Sequence, residues 1–523
     1  MNFIELFAGC GGLSLGLKST GFKLVLANEL SPMAAETYAF NFFNEDLSLW
    51  GDSSISPRRT LWISSSHPAS ELKSRLRENP FNFPKFEDGY SDLPSNGKID
   101  GSLLVGSIVE LNNWLRQNPS VLNKIKSSFG RGGIDLLSGG PPCQSFSMAG
   151  QRQLEAEKNS LPWEFAKFAK VVQPKVVLLE NVTGILRPFK DKNGNSFYAW
   201  FELAKAFTAI GYIPLCLHLN AKAAGVPQNR PRFILIGIRK NFFEQLAKTF
   251  NAAEIKLFEQ PLEFFHRTKN GDEVELDALM YRDVSRAGDM ELFKNSFLRH
   301  VVETKNYVTV SDAIDDLREN GVTESKFSTS LNKTFAKVLV KRKMRNHELR
   351  NNNEQVRRRF RLYQVLQLVD NETRKDVTSI LKGETHNLSD RAWKQVASFD
   401  YLVDSGRFIK FRKKAEFLTF LDAHPTKKQT QKALVANQPA PAALSIPDDA
   451  CHYHRDEQRT LTVREMARIQ SFPDNFEFRS KVTTGGKMRS FEVPQYTQVG
   501  NAVPPLLGRA LGLAISDLLI RFS

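Results

Sequence analysis

The chain has 523 residues, 41% apolar and 25% charged, with a formal net charge of +15. This is the composition of a globular protein with room for two or three domains, and no run of about 18 apolar residues is present to span a membrane. Four scattered cysteines (Cys10, Cys143, Cys216, Cys451) make no disulfide framework and point to a reducing compartment. The excess of Lys and Arg favours a polyanionic partner.

Met1 to Phe7 reads as a short strand, with no cleavable leader expected before it. A glycine-rich turn, Ala8 to Gly12, precedes a helix carrying Leu13, Leu15 and Leu17 that closes near Gly21. Phe22 to Ala27 forms a second strand and ends at Asn28-Glu29. Strand, glycine turn, helix, strand and a terminal carboxylate make a βαβ unit of the kind that holds an adenosine ribose. A plain βα turn with Glu29 merely solvated is the alternative. Residues 44–100, rich in Ser, Pro and charge, read as an insertion without an assigned role. Leu103 to Val105 is a third strand, followed by Gly106-Ser107-Ile108.

Ile134 to Leu137 is a short apolar run, and it reads as a buried strand of a parallel sheet. Gly139 and Gly140 are expected to turn the chain, and Pro141-Pro142 to stiffen the loop before Cys143. A cysteine on a rigid loop at the carboxyl edge of such a sheet is placed to react, and donors in Gln144 to Ser147 favour its thiolate. A buried structural cysteine is the alternative. Met148 to Asn159 is polar, and Leu161 to Val172 has helical periodicity. Lys175 to Leu179 is a further strand ending in Glu180-Asn181-Val182, whose carboxylate faces the same edge as Cys143. A helix over 197–211 and a strand over 212–219 follow. Gln228-Asn229-Arg230-Pro231-Arg232 leads into the strand Phe233 to Ile238, with both arginines on one side of an extended chain.

Beyond about residue 240 the α/β rhythm fades. Eleven basic side chains between 331 and 370 face three acidic ones, and Arg407, Lys410, Arg412, Lys413 and Lys414 form a second cluster. Interleaved with asparagines, the first reads as a phosphate-facing surface. Pro439 to Ala443 reads as a linker. Cys451-His452-Tyr453-His454 lacks a fourth ligand at a usual spacing, so no metal site is assigned. Thr462 to Glu465 has the spacing of a capping box, with a helix to about Phe472. Gln498 to Pro505 contains a Gly-Asn turn before an apolar helix, Leu506 to Leu519.

Several of these segments together resemble, in order, the signatures of the DNA (cytosine-5) methyltransferases of bacterial restriction–modification type. They are Phe7-x-Gly9-x-Gly11-Gly12, Pro142-Cys143-Gln144, Glu180-Asn181-Val182, Gln228-x-Arg230-x-Arg232 and the final Gly500-Asn501 stretch. The resemblance covers about 1–43, 100–240 and 455–523. It implies an α/β fold, a doubly wound and mostly parallel sheet of the S-adenosylmethionine-dependent methyltransferase kind, with a second, basic target-recognition domain. The expected division is 1–240 catalytic, 241–455 target recognition, and 456–523 returning to the catalytic domain.

The resemblance further implies Cys143 as nucleophile, Glu180 as the group holding a proton at cytosine N3, and Arg230 and Arg232 as contacts to the target nucleotide that also position the active site. S-adenosylmethionine would be bound by Phe7, Gly9, Gly11, Glu29, Ser107, Ile108, Leu161 and Asn501. Ser107 stands where the family carries aspartate. A loop after Cys143 would close over an extruded base. The implied partner is double-stranded DNA, acted on by a cytoplasmic bacterial monomer beside a separate restriction endonuclease. RNA cytosine methylation and a catalytically inactive DNA-binding regulator are the rival readings.

Overall fold

The computed structural model of the protein describes residues 1–53, 55–142, 161–190, 196–302, 306–321, 324–403, 406–425, 432–442 and 444–522. Cys143 and the segment to residue 160 therefore lie outside the described residues. The strands of the main sheet are β1 (Asn2–Leu6), β2 (Lys23–Glu29), β3 (Thr60–Trp62), β4 (Ser102–Val105), β5 (Leu136–Gly139), β6 (Val176–Val182), β7 (Tyr212–Asn220), β8 (Pro231–Arg239) and β9 (Arg282–Asp283). They are ordered β9-β7-β8-β6-β5-β1-β2-β4-β3. Among the described residues only β8 runs against the other strands of this sheet. The strand order reverses between β1 and β5, and crevices outside such a switch point are where open α/β sheets take ligands.

Continuous apolar runs are what a sheet covered on both faces requires. All five residues of β1 and all four of β5 are buried. Alternate residues serve opposite faces. Ile4 and Leu6 join the core formed with the helices α3 (Ile108–Gln117), α4 (Leu161–Val172) and α5 (Ala199–Ala209). Phe3 joins the other core, where α1 (Gly12–Lys18) meets the chain's last long helix, Pro505–Leu519. Leu507, Leu511, Ile515 and Leu518 of that helix are completely buried, each contributing about 1.5–3 kcal/mol of transfer free energy. The end of the chain thereby completes the layer begun by its first helix.

The insertion over 44–100 has a structural role that the sequence did not reveal. Its strand β3 extends the sheet beyond β4, with Thr60 beside Leu103 and Trp62 beside Val105. The Glu45 carboxylate anchors it, accepting from the amides of Arg58 and Arg59 (2.8 Å each) and from Thr60 Oγ1 (2.7 Å). Trp62 is fully buried under the Arg75 guanidinium, which pairs with Asp92 at 2.7 Å.

Packing around the sheet also continues past the boundary expected at residue 241. Helix α6 (Ala252–Asn270) begins with a capping box from Asn251 and Glu254 and packs Leu257, Phe258 and Phe265 into the second core. Strand β9 pairs with β7, and Phe297, Leu298 and Val301 close the same layer. Helices and one short strand beyond residue 241 thus pack on the same sheet.

Farther along, α7 (Glu354–Leu366), α8 (Asn371–Leu381), α9 (Asp390–Val396) and α10 (Lys414–Asp422) share a core of their own, including Phe360, Leu362, Val377 and Phe417. A third layer joins Val310, Leu331 and Phe335 to Cys10 and Leu15 through α11 (Val463–Ile469) and α12 (Gln495–Asn501). The capping box of α11 forms as expected, Thr462 and Glu465 each bonding the other's amide (3.1 and 2.8 Å), although the helix stops at Ile469. The apolar helix after Pro504 is α13 (Pro505–Leu519). Gly500 and Asn501, expected in a turn, form the last turn of α12 instead. Among the described residues no single helix is long and apolar enough to cross a membrane.

Candidate functional site

The site is assembled by strand register. β8 pairs antiparallel with β6, setting Arg232 opposite Val182 and Ile234 opposite Glu180. Arg232 and Glu180 are therefore diagonal neighbours on one face, within reach of long side chains. They form an ion pair at 2.6 Å (Arg232 Nε to Glu180 Oε1) with side chains only 9% and 12% exposed. Removing one partner from so buried a pair typically costs about 3–5 kcal/mol, because the other charge is left uncompensated.

The glycine-proline loop lies directly against this carboxylate. A Cβ at Gly140 would stand 3.0 Å from Glu180 Oε2. Next in the chain, the Pro141 carbonyl accepts from Asn181 Nδ2 (3.0 Å). Gly139 does not turn the chain as expected. It continues β5, paired with Leu6 on one side and Leu179 on the other, and its φ is not positive. A Cβ there would approach the Leu6 carbonyl to 2.4 Å, so close strand approach is the reason for the glycine. Asn181, which holds the loop ahead of Cys143, is a supporting residue that the sequence offered only as part of its Glu-Asn-Val tripeptide.

Across the switch point, β1 delivers Phe7, whose φ of +56° is unusual for a bulky residue. Gly9 and Gly11 follow with φ of +56° and +96°. Glu29, at the end of β2, binds this loop: its Oε2 accepts from the Gly9 amide (2.7 Å) and its Oε1 from the Ser31 amide (2.8 Å). Burial raises the pKa of this carboxyl, against the pull of the amides. Each carboxylate oxygen keeps a further acceptor position, and the space beside Gly9 is open, with nothing within 4 Å of a Cβ built there. A carboxylate with spare acceptors beside open space suits a ligand's vicinal hydroxyls. Gly11, by contrast, serves packing: a Cβ there would lie 2.3 Å from the Phe42 ring.

Beneath the loop lies a buried network that the sequence did not announce. Glu5 accepts from Ser14 Oγ, which also bonds Tyr38 Oη (2.9 Å). Burial pushes the Glu5 carboxyl up to about 8. At the end of β4, Ser107 caps α3, accepting from the Val109 amide at 3.2 Å, and Ile108 enters the core. The serine that replaces the expected aspartate thus has a helix-capping task. Leu161 opens α4 and packs, half-buried, on the same core. Asn501 is exposed at the last residue of α12.

Arg230 takes a different direction from Arg232. It is 4% exposed, and its donors reach the carbonyls of Gly500 (2.6 Å), Ala502 (3.3 Å) and Ala442 (3.4 Å). Burial, then the neighbouring Arg232, push its pKa well below the ordinary value. Ala440, Pro441 and Ala442 of the stretch read as a linker are held here as well. Gln498, which the sequence offered only as the start of the Gly-Asn stretch, is 2% exposed and bonds Thr37 Oγ1 (2.6 Å) and the carbonyls of Met33 and Val493 (3.1 and 3.0 Å). It joins α12 to α2 (Pro32–Phe43).

The basic window is partly consumed internally. Arg361 is buried and paired with Asp400 at 2.6 Å, and Arg342 stacks on Phe40 (4.2 Å) while donating to the Phe40 carbonyl. Lys333, Lys337, Lys341, Lys343 and Arg345 remain exposed. Burial holds His452 neutral, pushed down to about 3, with its Nδ1 accepting from the His454 amide (3.0 Å).

The sequence model of one family, C-5 cytosine-specific DNA methylase, matches residues 1–53 and 113–517. Three curated relatives match over nearly their full length. Type II methyltransferase M.DdeI of Desulfomicrobium norvegicum is 25% identical over 519 residues, 99% of this chain and 88% of that one. M1.HphI of Haemophilus parahaemolyticus is 23% identical, with 98% and 86% covered. M.Bpa9945I of Bacillus paralicheniformis is 25% identical, with 99% of each covered. A mostly parallel sheet with its carboxylate–arginine pair against Gly140, and a family match over most of the chain, lead to one conclusion: the protein belongs to the C-5 cytosine-specific DNA methylases and is a DNA (cytosine-5) methyltransferase.

Proposed function

We propose that the protein methylates C5 of a cytosine within a specific sequence of duplex DNA through a covalent adduct on Cys143, drawing the methyl group from S-adenosylmethionine. The observation that carries this reading is the Glu180 carboxylate, clamped by Arg232 and lying over Gly140, three residues ahead of Cys143. Cytosine C5 is a poor nucleophile. Addition of the Cys143 thiolate to C6 breaks the ring's conjugation and gives C5 enamine character. Glu180 holds a proton at N3, so that negative charge does not accumulate on the ring. Arg232 fixes the carboxyl in that position. Loss of the C5 proton and expulsion of the Cys143 sulfur then restore the aromatic ring.

When bound, S-adenosylmethionine supplies an electrophilic methyl group. Glu29 would hold its ribose hydroxyls, Phe7 its adenine face, and the open side of Gly9 leaves room for it. Ser107, Ile108, Leu161 and Asn501 complete the expected surroundings on the family resemblance alone. The target base must leave the helix to reach the sulfur, at a cost of a few kcal/mol. Phosphate contacts from the exposed lysines and Arg345 of the middle region offset that cost. We assign recognition of the DNA sequence to the region after Val302. The type II relatives support a role in protecting host DNA from a separate restriction endonuclease.

The test is transfer of labelled methyl from S-adenosylmethionine to duplex DNA and to tRNA, followed by bisulfite sequencing of the DNA. Label in DNA at one recurrent sequence context is expected. Label in tRNA alone would move the protein to the RNA-modifying reading, and no label in either would support the inactive regulator.

A further inference from the structure

Arg230 serves a joint. Three of its five N–H groups donate to the carbonyls of Gly500, Ala502 and Ala442. Fully buried Gln228 donates its Nε2 to the carbonyls of Pro441 (2.8 Å) and Ala442 (3.3 Å). The main chain closes the same junction: the Asn229 amide donates to Ala440 O (2.8 Å) and the Ala440 amide to Pro227 O (2.9 Å). On the far side, a Cβ at Gly500 would lie 2.5 Å from Cα of Ser445. Three segments remote in sequence therefore meet on one guanidinium. They are the approach to β8, the stretch by which the middle region returns, and the end of α12.

A buried guanidinium that donates to three main-chain carbonyls is suited to hold several backbones at once, since its planar fork carries more fixed donors than any other side chain. Two residues farther along the same strand, Arg232 grips Glu180. Any shift of the return segment is thus passed along one short strand to the catalytic carboxylate. We propose that Arg230 is a positioning residue rather than a nucleotide contact: it locks the returning segment of the DNA-reading region to the strand that orients Glu180. The proposal rests on the functional reading above, and it departs from the assignment of both arginines to the target nucleotide.

The test compares wild type with Arg230→Met, Arg230→Lys, Gly500→Ala and the Arg230→Met/Gly500→Ala double variant. For each, kcat, KM for duplex DNA, S-adenosylmethionine affinity and the salt dependence of DNA affinity are measured. Arg230→Met should lose at least about tenfold in kcat through misplacement of the carboxylate. Its plot of log affinity against log salt should keep the wild-type slope, whereas loss of a phosphate contact would reduce that slope by about one. Gly500→Ala leaves Arg230 in place but pushes on Ser445, so it should also lower kcat. In the double variant the two losses should fall short of multiplying, because both break one joint. Arg230→Lys, which keeps part of the donor set, should be intermediate, and it carries the test if the methionine variant does not fold. A slope reduced by about one, an unchanged kcat, or losses that multiply would each overturn the proposal. A wild type that methylates no duplex DNA would overturn the functional reading instead.

Discussion

The sheet unit and the basic middle region treat charge in opposite ways. At the candidate site, three charged side chains are each committed to one geometry: Glu180 to Arg232, Glu29 to the Gly9 amide, Arg230 to three carbonyls. In the middle region a run of basic residues divides into two classes. Arg361 and Arg342 are structural, bound to Asp400 and Phe40, while the exposed lysines face solvent. A count of basic residues therefore overstates a phosphate-binding surface. Only those without an internal partner contribute counterion release on binding.

The sharpest way to press the comparison is at the sheet. Glu180→Gln keeps the shape but removes the proton carrier and the ion pair with Arg232. The rate of methyl transfer should fall about 10²–10⁴-fold, the range for a general acid or base, as read by single-turnover labelling. In the middle region, Asp400→Ala leaves Arg361 buried without its carboxylate. Urea unfolding should show a loss of about 3 kcal/mol, the low end for a broken buried pair because Asp400 is partly exposed. Replacing Lys333, Lys337 and Lys341 by Ala should instead change stability by no more than about 0.5 kcal/mol per site, while flattening the salt dependence of DNA binding.

A third test uses pH. Glu5 is held up to about 8 by burial, against an ordinary value of 4.5. The folded protein therefore keeps a proton that the unfolded chain has released between those two values. Stability from this group is full below pH 4.5, falls as pH rises through the window, and levels off above pH 8. Between pH 6 and 8 the loss should be about 2 kcal/mol, and Glu5→Gln should abolish that slope in denaturant titrations. A further effect concerns the loop above it. Glu29→Ala should weaken S-adenosylmethionine binding about tenfold, the worth of one hydrogen bond to a charged group, with DNA affinity unaltered in calorimetry.

The sheet was legible in the chain because parallel strands are buried on both faces and read as unbroken apolar runs. Ile4, Leu137 and Val177 announce their strands without any partner being known. Glu180 and Arg232 were legible as candidates through their places at strand ends. Their contact was not, since the antiparallel register of β8 on β6 is a long-range property. The insertion strand β3 escaped notice because three residues at a sheet edge carry too little pattern, and Trp62 shows its role only once Arg75 lies across it. Pro439 to Ala443 had the composition of a linker, but the carbonyls of Pro441 and Ala442 are taken up by Gln228 and Arg230, more than two hundred residues away. The packing beyond residue 241 was hidden for the same reason. α6 packs on the sheet through aromatic residues whose partners are distant in the chain.

The most direct measurement concerns the sulfur itself. Duplex DNA carrying 5-fluorocytosine at the methylated position blocks the final proton loss and strands the adduct. Incubated with this DNA and S-adenosylmethionine, the protein should acquire the mass of the DNA strand, with the link mapped to Cys143 and absent from Cys143→Ala. Bound S-adenosylmethionine with no linkage to the protein, or a linkage to any other residue, would contradict the account.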